Sequence, residues 1–93
     1  MNYSVEYTDT FAGEANYCWV KRASVSMPGL THYGYDGATN YCKANKVYQR
    51  ELMKRAKAAV GLTGARGRVA SYGELIEFRP YGCATVLFIT AND

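Results

Sequence analysis

The sequence contains few of the residues that build metal sites and disulfide frameworks. It has three cysteines, one histidine and two prolines among 93 residues, and the candidate metal ligands are Cys18, His32, Cys42 and Cys83. They are separated by 14, 10 and 41 residues, whereas zinc ligands usually include close pairs such as C-x-x-C. An odd number of cysteines is also unlike a secreted disulfide framework. The pattern predicts reduced and buried thiols, no bound metal and no other cofactor.

Long apolar runs are also missing. No stretch approaches the roughly 18 apolar residues of a membrane-spanning helix, and the opening sequence MNYSVEYTDT has neither the basic region nor the apolar region of a signal peptide. The chain has the length of one small domain, which buries roughly 60–65% of the surface of its unfolded state. We therefore predict a single domain over residues 1–93, in the cytoplasm and without membrane contact.

No recognisable catalytic constellation accompanies this small size. A cysteine acting with His32 as a nucleophile pair would need a third, orienting group, and Glu74 and Glu77 would face opposite sides of one strand instead of forming an acid and base pair. The glycines of GLTGARG follow a predicted helix, whereas phosphate-binding loops precede one. These absences predict a protein that is not an enzyme.

What the sequence does contain is a local concentration of positive charge. Residues 1–42 carry two basic and four acidic residues, for a sum of −2; residues 43–68 carry eight and one, for +7; residues 69–93 carry one and three, for −2. A field of one sign steers polyanions or acidic protein surfaces toward it. The alternative is that the basic residues form only the solvated face of a helix.

Alternating hydrophobicity predicts strands on both sides of that basic region. The segment YSVEYT alternates Tyr3, Val5 and Tyr7 with polar residues, and YCWVKRASVSM continues the alternation after a turn for which Gly13 and Asn16 are suited. On this second segment one face carries Tyr17, Trp19, Ala23, Val25 and Met27. The segments RGRVASY and LIEF flank Gly73, and the run from residue 83 to 89 is apolar on both faces, which is typical of a central strand.

A helix is predicted from about residue 38–45 to Val60. At 100° per residue its apolar side chains fall within an arc of about 140°. These residues are Tyr41, Tyr48, Leu52, Met53, Ala56, Ala59 and Val60. Gly61 would end the helix in the left-handed conformation, and Leu62 would make the hydrophobic contact that accompanies such a cap. The predicted fold class is α+β, with a single helix packed on an antiparallel sheet in the order ββαβββ or ββαββ.

The cations of this helix share a separate face, within an arc of about 80° beside the apolar one. This basic stripe comprises Lys43, Lys46, Arg50, Lys54 and Lys57. It contains no acid, and we predict that Arg66 and Arg68 extend it beyond the helix. The preceding connection, PGLTHYGYDGATN, is rich in glycine and contains Tyr33 and Tyr35, which predicts an exposed binding loop. Stripe, arginines and loop tyrosines together form the predicted binding surface.

Three stretches, NYSVEYTDTFAGEANYCWVKR, ELMKRAKAAVGLTGARGRV and FRPYGCATVLFI, resemble small single-domain orphan proteins encoded by phages and mobile elements. That group includes anti-CRISPR proteins. The resemblance implies a protein that acts in the host-cell cytoplasm without catalysis, by occupying a surface of a host nuclease or surveillance complex. A basic helix departs from the acidic DNA mimicry common among such inhibitors. This chain would therefore bind an acidic protein patch or the nucleic acid of the complex.

Three functions remain open from the sequence. In the first, the chain inhibits a host defence complex by docking its basic stripe and Gly/Tyr loop onto a host protein or ribonucleoprotein. In the second, it binds DNA or RNA directly, with phosphates against the lysines and unpaired bases stacked on tyrosines. In the third, it is a small structural component that self-assembles through exposed strand edges. The sequence predicts no particular oligomeric state.

Overall fold

The computed structural model describes residues 1–29 and 41–92 of the chain. These residues form β1 (Asn2–Phe11), β2 (Glu14–Ser26), α1 (Tyr41–Ala59), β3 (Gly67–Tyr72), β4 (Leu75–Pro80) and β5 (Thr85–Ala91). The predicted α+β class is confirmed, and of the two predicted orders the structure has ββαβββ. No helix among the described residues is both long enough and apolar enough to span a bilayer.

The five strands form one antiparallel sheet in the order β2-β1-β5-β4-β3. The central position of β5 confirms the prediction from its apolar sequence. Ile89 pairs with Val5 of β1 on one side and with Ile76 of β4 on the other. Val86 and Leu87 point to opposite faces of the sheet, and both are fully buried. β2 and β3 form the two edges.

The hairpin of β1 and β2 confirms the predicted first hairpin, but its outer half is exposed. Ala12 and Gly13 form the turn with φ angles of 51° and 85°, which fits the two-residue turns that favour positive φ at both positions. The predicted apolar face of β2 is buried only in part. Val25 lies in the core, whereas Tyr17 and Trp19 are 53% and 43% exposed. The hairpin therefore extends beyond the part of the sheet that the helix covers.

A bulge interrupts this hairpin between Thr8 and Thr10. Tyr17 has a φ of 58°, which is unusual for a bulky residue. The Asp9 carboxylate accepts hydrogen bonds from Asn16 Nδ2 at 3.0 Å and from the Cys18 backbone N–H at 2.9 Å. The bond from Asn16, with the other hydrogen bonds, lowers the pKa of Asp9 from its ordinary value. The ionised carboxylate thus holds the bulge together.

The core lies between α1 and one face of the sheet. The buried cluster consists of Tyr3, Val5, Val25, Met27, Tyr48, Leu52, Ala56, Val60, Phe78, Leu87 and Ile89. The hydroxyl groups of Tyr3 and Tyr48 hydrogen-bond to each other inside it. Each valine, leucine, isoleucine, phenylalanine or methionine side chain of the cluster adds about 1.5–3 kcal/mol when it is fully removed from water.

One predicted core residue of the helix is wrong, because Ala59 is exposed while the unpredicted Ala44 is buried. The buried helix positions follow one another at intervals of four residues. Four residues turn a helix by about 400°, so the buried face advances by about 40° at each step. At the last turn it has rotated toward Val60 and away from Ala59.

The helix ends as predicted. Gly61 has a φ of 81°, and its N–H donates to the Ala58 carbonyl at 3.3 Å. The N–H of Leu62 donates to the Lys57 carbonyl at 2.7 Å, and the Leu62 side chain packs against the core. This pair of hydrogen bonds defines a Schellman cap.

The prediction of buried cysteines is wrong for the two whose side chains are described. Cys18 and Cys83 are free thiols and both are exposed. Cys18 lies on the outer half of the first hairpin, where no helix covers the sheet, and Cys83 lies in the turn before β5. Residue-type averages describe how often cysteine is buried, but these two positions lie outside the covered sheet.

Candidate binding groove

A groove of about 910 Å³ lies beside α1, between the helix and the β3–β4 hairpin. Its helix wall carries Asn45, Gln49, Arg50, Lys54 and Lys57, its apolar floor is made by Met53, Val69 and Ile76, and Thr63, Gly64, Ser71 and Gly73 complete the lining. We call this site the α1–β3 groove. It faces the same side of the sheet as the core.

The groove exists because one helix is too narrow for this sheet. Five strands span about 19 Å between the outer strands, whereas a helix with its side chains is about 10 Å wide. The backbone of α1 lies closest to β2, and its side chains bury the helix-facing residues of β1 and β5. Val69 on β3 pairs with the buried Phe78 and points to the same face, yet it is 56% exposed. In the part of the chain that the structure describes, the β3 edge of this face is therefore open, while Phe78 of β4 belongs to the covered core.

Two cations of the basic stripe project from the helix wall without a partner. Arg50 and Lys54 line the groove and are exposed. Within residues 1–29 and 41–92, no recorded hydrogen bond or ion pair engages either side chain. By contrast, Arg55 on the β2 side of the helix pairs with Glu51 at 3.0 Å. The ion pair of Arg55 and Glu51 therefore lies on the side of the helix that faces away from the groove.

Lys57 is held in place at the groove by contacts with the protein. Its Nζ donates to the Ala65 carbonyl at 2.8 Å and lies 4.4 Å from the centre of the Phe78 ring. A cation over an aromatic face is stabilised by the ring quadrupole. Lys57 therefore contributes a fixed positive charge, while Arg50 and Lys54 contribute charges that can move toward a ligand.

The remaining cations of the predicted surface lie in three different places. Lys43 and Lys46 are exposed on α1 but do not line the groove. Arg66 is exposed in the loop before β3, where its carbonyl accepts the N–H of Tyr81 at 2.9 Å. Arg68 pairs in register with Arg79 and, because strand side chains alternate, points to the face opposite Val69. Arg68 thus does not extend the stripe.

The exposed tyrosines that the structure describes lie away from the groove. Tyr33 and Tyr35 lie outside the described residues. The exposed tyrosines that are described lie on the first hairpin, at the end of β3 and in the turn after β4, at Tyr17, Tyr72 and Tyr81. None of the described residues that line the groove is aromatic. Its floor is aliphatic.

The described residues that line the groove offer charge and apolar surface, and none of them is an acid, a histidine or a cysteine. Among the described residues, no group of three or more histidine, cysteine or acidic side chains is arranged to hold a metal ion. Comparisons of the chain with protein-family models, curated proteins and solved structures found no match. The candidate site therefore rests on the geometry and charge of the groove itself.

The sequence indicated the wall of the groove but missed its floor. Val69 and Ile76 were part of predicted strands, and nothing in their spacing indicates which part of the sheet the helix leaves open. The available signal was the alternation within β3, which sets Val69 and Arg68 on opposite faces. Applied to RGRVASY, it would have separated Arg68 from the stripe.

Proposed function

We propose that this chain is a non-enzymatic binding protein of the phage-inhibitor type, which docks onto an acidic surface of a host protein or ribonucleoprotein complex through the α1–β3 groove. The observation that supports this proposal is the pairing of a cationic wall with an aliphatic floor in one groove. Arg50 and Lys54 supply free positive charge, and Val69 supplies exposed apolar surface. The inhibitor role and the host-cell cytoplasm follow from the resemblance to small phage proteins.

The aliphatic floor favours a protein ligand over nucleic acid at this site. Met53, Val69 and Ile76 gain from contact with apolar side chains, at roughly 25 cal/mol for each Å² removed from water. A sugar-phosphate backbone has no comparable apolar surface, and proteins that bind single strands usually stack bases on aromatic rings. Among the described residues that line the groove there is no such ring. An acidic protein segment with apolar side chains satisfies both parts of the groove.

The two parts of the groove would then do different work. Complementary charge accelerates the encounter of two proteins and selects among partners, whereas desolvated apolar contacts slow their dissociation. An inhibitor needs no chemistry beyond occupying the surface on which its target depends. Reversing the wall charges should therefore reduce the association rate, and adding a charge to the floor should raise the dissociation rate.

The experiment is capture of partners from a host lysate, with and without nuclease treatment. The groove variant Arg50→Glu/Lys54→Glu is compared with the wild type and with Lys21→Glu/Arg22→Glu, which makes the same charge change on exposed residues of β2. Nuclease-resistant capture that only the groove variant loses is the expected result. Equal capture by all three proteins would contradict the proposal, and capture abolished by nuclease would indicate nucleic acid as the ligand.

Direct binding of single-stranded nucleic acid is a second candidate function, and the opposite face of the sheet favours it. Arg68 and Arg79 lie directly across from each other there, and like charges in that position repel unless an anion joins them. Tyr72 on the same face is 61% exposed and could stack on a base. Arg79 also pairs with Glu77, which reduces the local charge.

The two candidate functions differ in their dependence on salt. Nucleic-acid affinity should fall linearly with log salt, with the slope shrinking by about 0.7–0.9 for each phosphate contact removed. Arg68→Glu should reduce that slope, while Arg50→Glu should leave it unchanged. If neither variant alters binding to a single-stranded oligonucleotide, the second candidate is wrong.

A further inference from the structure

We propose that the occupant of the α1–β3 groove is an amphipathic α-helix of the partner protein, with an apolar face on the groove floor and acidic residues along one flank. This inference rests on the proposed function and specifies the form of the partner. It follows from the width of the open part of the sheet, from the backbone chemistry of a sheet face, and from the spacing of the cations.

The open part of the sheet face accommodates the side chains of a single helix. Phe78 on β4 is already covered, so the open part consists of Val69 and Ser71 on β3 and Ile76 on β4, and a helix packed there would lie about 8–10 Å from α1. Val69 and Ser71 of β3 lie in this open part, two residues and about 7 Å apart along the strand. Ile76 of the adjacent strand β4 pairs with Ser71. The floor is thus a strip parallel to the strands.

A sheet face selects a ligand that satisfies its own backbone hydrogen bonds. The N–H and C=O groups of β3 and β4 lie in the plane of the sheet and point sideways to neighbouring strands. An extended peptide on the face would find no partners there for its own backbone groups, and unpaired groups that lose contact with water are costly. A helix forms its backbone bonds internally. An extended peptide would instead add to the outer edge of β3.

Small residues on the far side of the groove allow the backbone of such a helix to approach closely. Thr63, Gly64, Ser71 and Gly73 line this part, and none has a side chain long enough to fill it. A Cβ atom built on Gly64 or on Gly73 would meet no other heavy atom within 4 Å. The side of the groove away from α1 is therefore shallow, and the long side chains of the lining lie on the helix wall.

The cations specify the charge and the spacing of the acidic flank. Arg50, Lys54 and Lys57 are four and three residues apart, which places them over about 10 Å of the helix axis. Acids spaced by four and then three residues on a neighbouring helix would match them. A second copy of this chain is a poor occupant, because its α1 carries charges of the same sign on this flank. Nucleic acid would match the charges but not the floor.

The test uses synthetic peptides of about 18 residues, long enough for several helical turns. The first has a leucine stripe and glutamates at the four and three spacing. The second replaces a central residue with proline, which breaks the helix, and the third carries lysine in place of each glutamate. Binding is measured by titration calorimetry, the peptide conformation by circular dichroism, and the contact surface by amide NMR shifts.

The expected result is that the glutamate peptide binds, becomes helical and shifts the amides of Val69, Ser71 and Ile76. The proline and lysine peptides should bind at least about tenfold more weakly, in line with the loss of close charge pairs or of the helix. The variant Arg50→Glu/Lys54→Glu should reverse the preference and favour the lysine peptide. Such a reversal cannot result from unfolding.

Several outcomes would overturn the inference. One is that the proline peptide binds as tightly as the helical glutamate peptide, and another is that the glutamate peptide does not bind. The inference is also wrong if the amide shifts are confined to the opposite sheet face or to the outer edge of β3, or if a single-stranded oligonucleotide displaces the glutamate peptide. Dimerisation that Val69→Asp abolishes would identify a second copy as the occupant. If the lysate experiment succeeds while helical and proline peptides bind equally, the proposed function stands and only the helical form of the partner is wrong.

Discussion

The two halves of the helix-facing sheet surface are built from similar residues but have different surroundings. On the covered half, Val5, Val25 and Ile89 are at most 6% exposed beneath α1. On the open half, Val69 is 56% exposed although it continues the same alternation. The covered half holds the fold together, and the open half presents apolar surface beside unpaired cations. The alternation of apolar residues in a strand therefore identifies which face of the sheet is suited to packing. It does not indicate whether the helix of the same chain packs on that face.

The sharpest way to separate the two halves is to remove apolar volume from each. Leu52→Ala, on the helix above the covered half, should lower the free energy of unfolding by about 2–5 kcal/mol, because Leu52 is fully buried and a cavity would remain. Val69→Ala on the open half should change it by no more than about 0.5 kcal/mol. Urea denaturation measures both. A comparable loss for Val69→Ala would mean that this residue is covered in solution.

A substitution that displaces β3 should affect the open half selectively. A Cβ atom at Gly67 would collide with the backbone carbonyl of Arg79 on the adjacent strand, so Gly67→Ala should lower stability by about 1–3 kcal/mol. Hydrogen exchange should rise at β3 and β4 more than at β1 and β2. Exchange that rises equally in all strands would show that the two halves are a single cooperative unit.

The cap of the helix offers a smaller effect. Gly61→Ala should cost about 1 kcal/mol, because alanine resists the positive φ of this position. Gly61→Asn is the matched control and should cost less, since asparagine tolerates the left-handed region better. Thermal melting compares the variants. Equal melting temperatures for glycine and alanine at this position would argue against the cap in solution.

The smallest effect concerns the exposed hairpin, outside both halves. The pKa of Asp9 is lowered in the folded state, mainly by the hydrogen bond from Asn16. Its stabilising contribution is therefore present above the ordinary pKa of 3.8 and is lost as the pH falls through the lower, folded-state value. The difference in melting temperature between wild type and Asp9→Asn should shrink below about pH 4. A constant difference would show that ionisation of Asp9 does not contribute.

The elements of the fold could be predicted because their signals are local. Alternation of apolar and polar residues predicted the strands of the first hairpin, and the continuous apolar run predicted the central strand. Gly61 and Leu62 indicated the end of the helix. The groove could not be predicted, because it depends on where α1 lies across the sheet. That position follows from the strand order, in which β5 separates β1 from β4, and no local pattern encodes it.

The wrong predictions about individual side chains have a common origin. Arg68 follows the helix closely in sequence, but the alternation of β3 directs it to the other face. Cys18 and Cys83 belong to a residue type that is usually buried, but they lie on a hairpin and in a turn that no described part of the chain covers. Ala59 belongs to the apolar arc, but the buried face rotates past it. In each case three-dimensional placement, and not residue type, decides exposure.

The central position of β5 also determines the order in which the molecule can assemble. β1 and β2 form one hairpin, β3 and β4 form another, and only β5, the last strand in the sequence, joins them. The register of Tyr3 with Ala91 brings together residues that are 88 positions apart in the sequence. Contacts this distant in sequence form late and slow the folding of small domains. Until β5 inserts, each hairpin exposes an unpaired edge, so the nascent chain passes through a stage at which aggregation competes with folding.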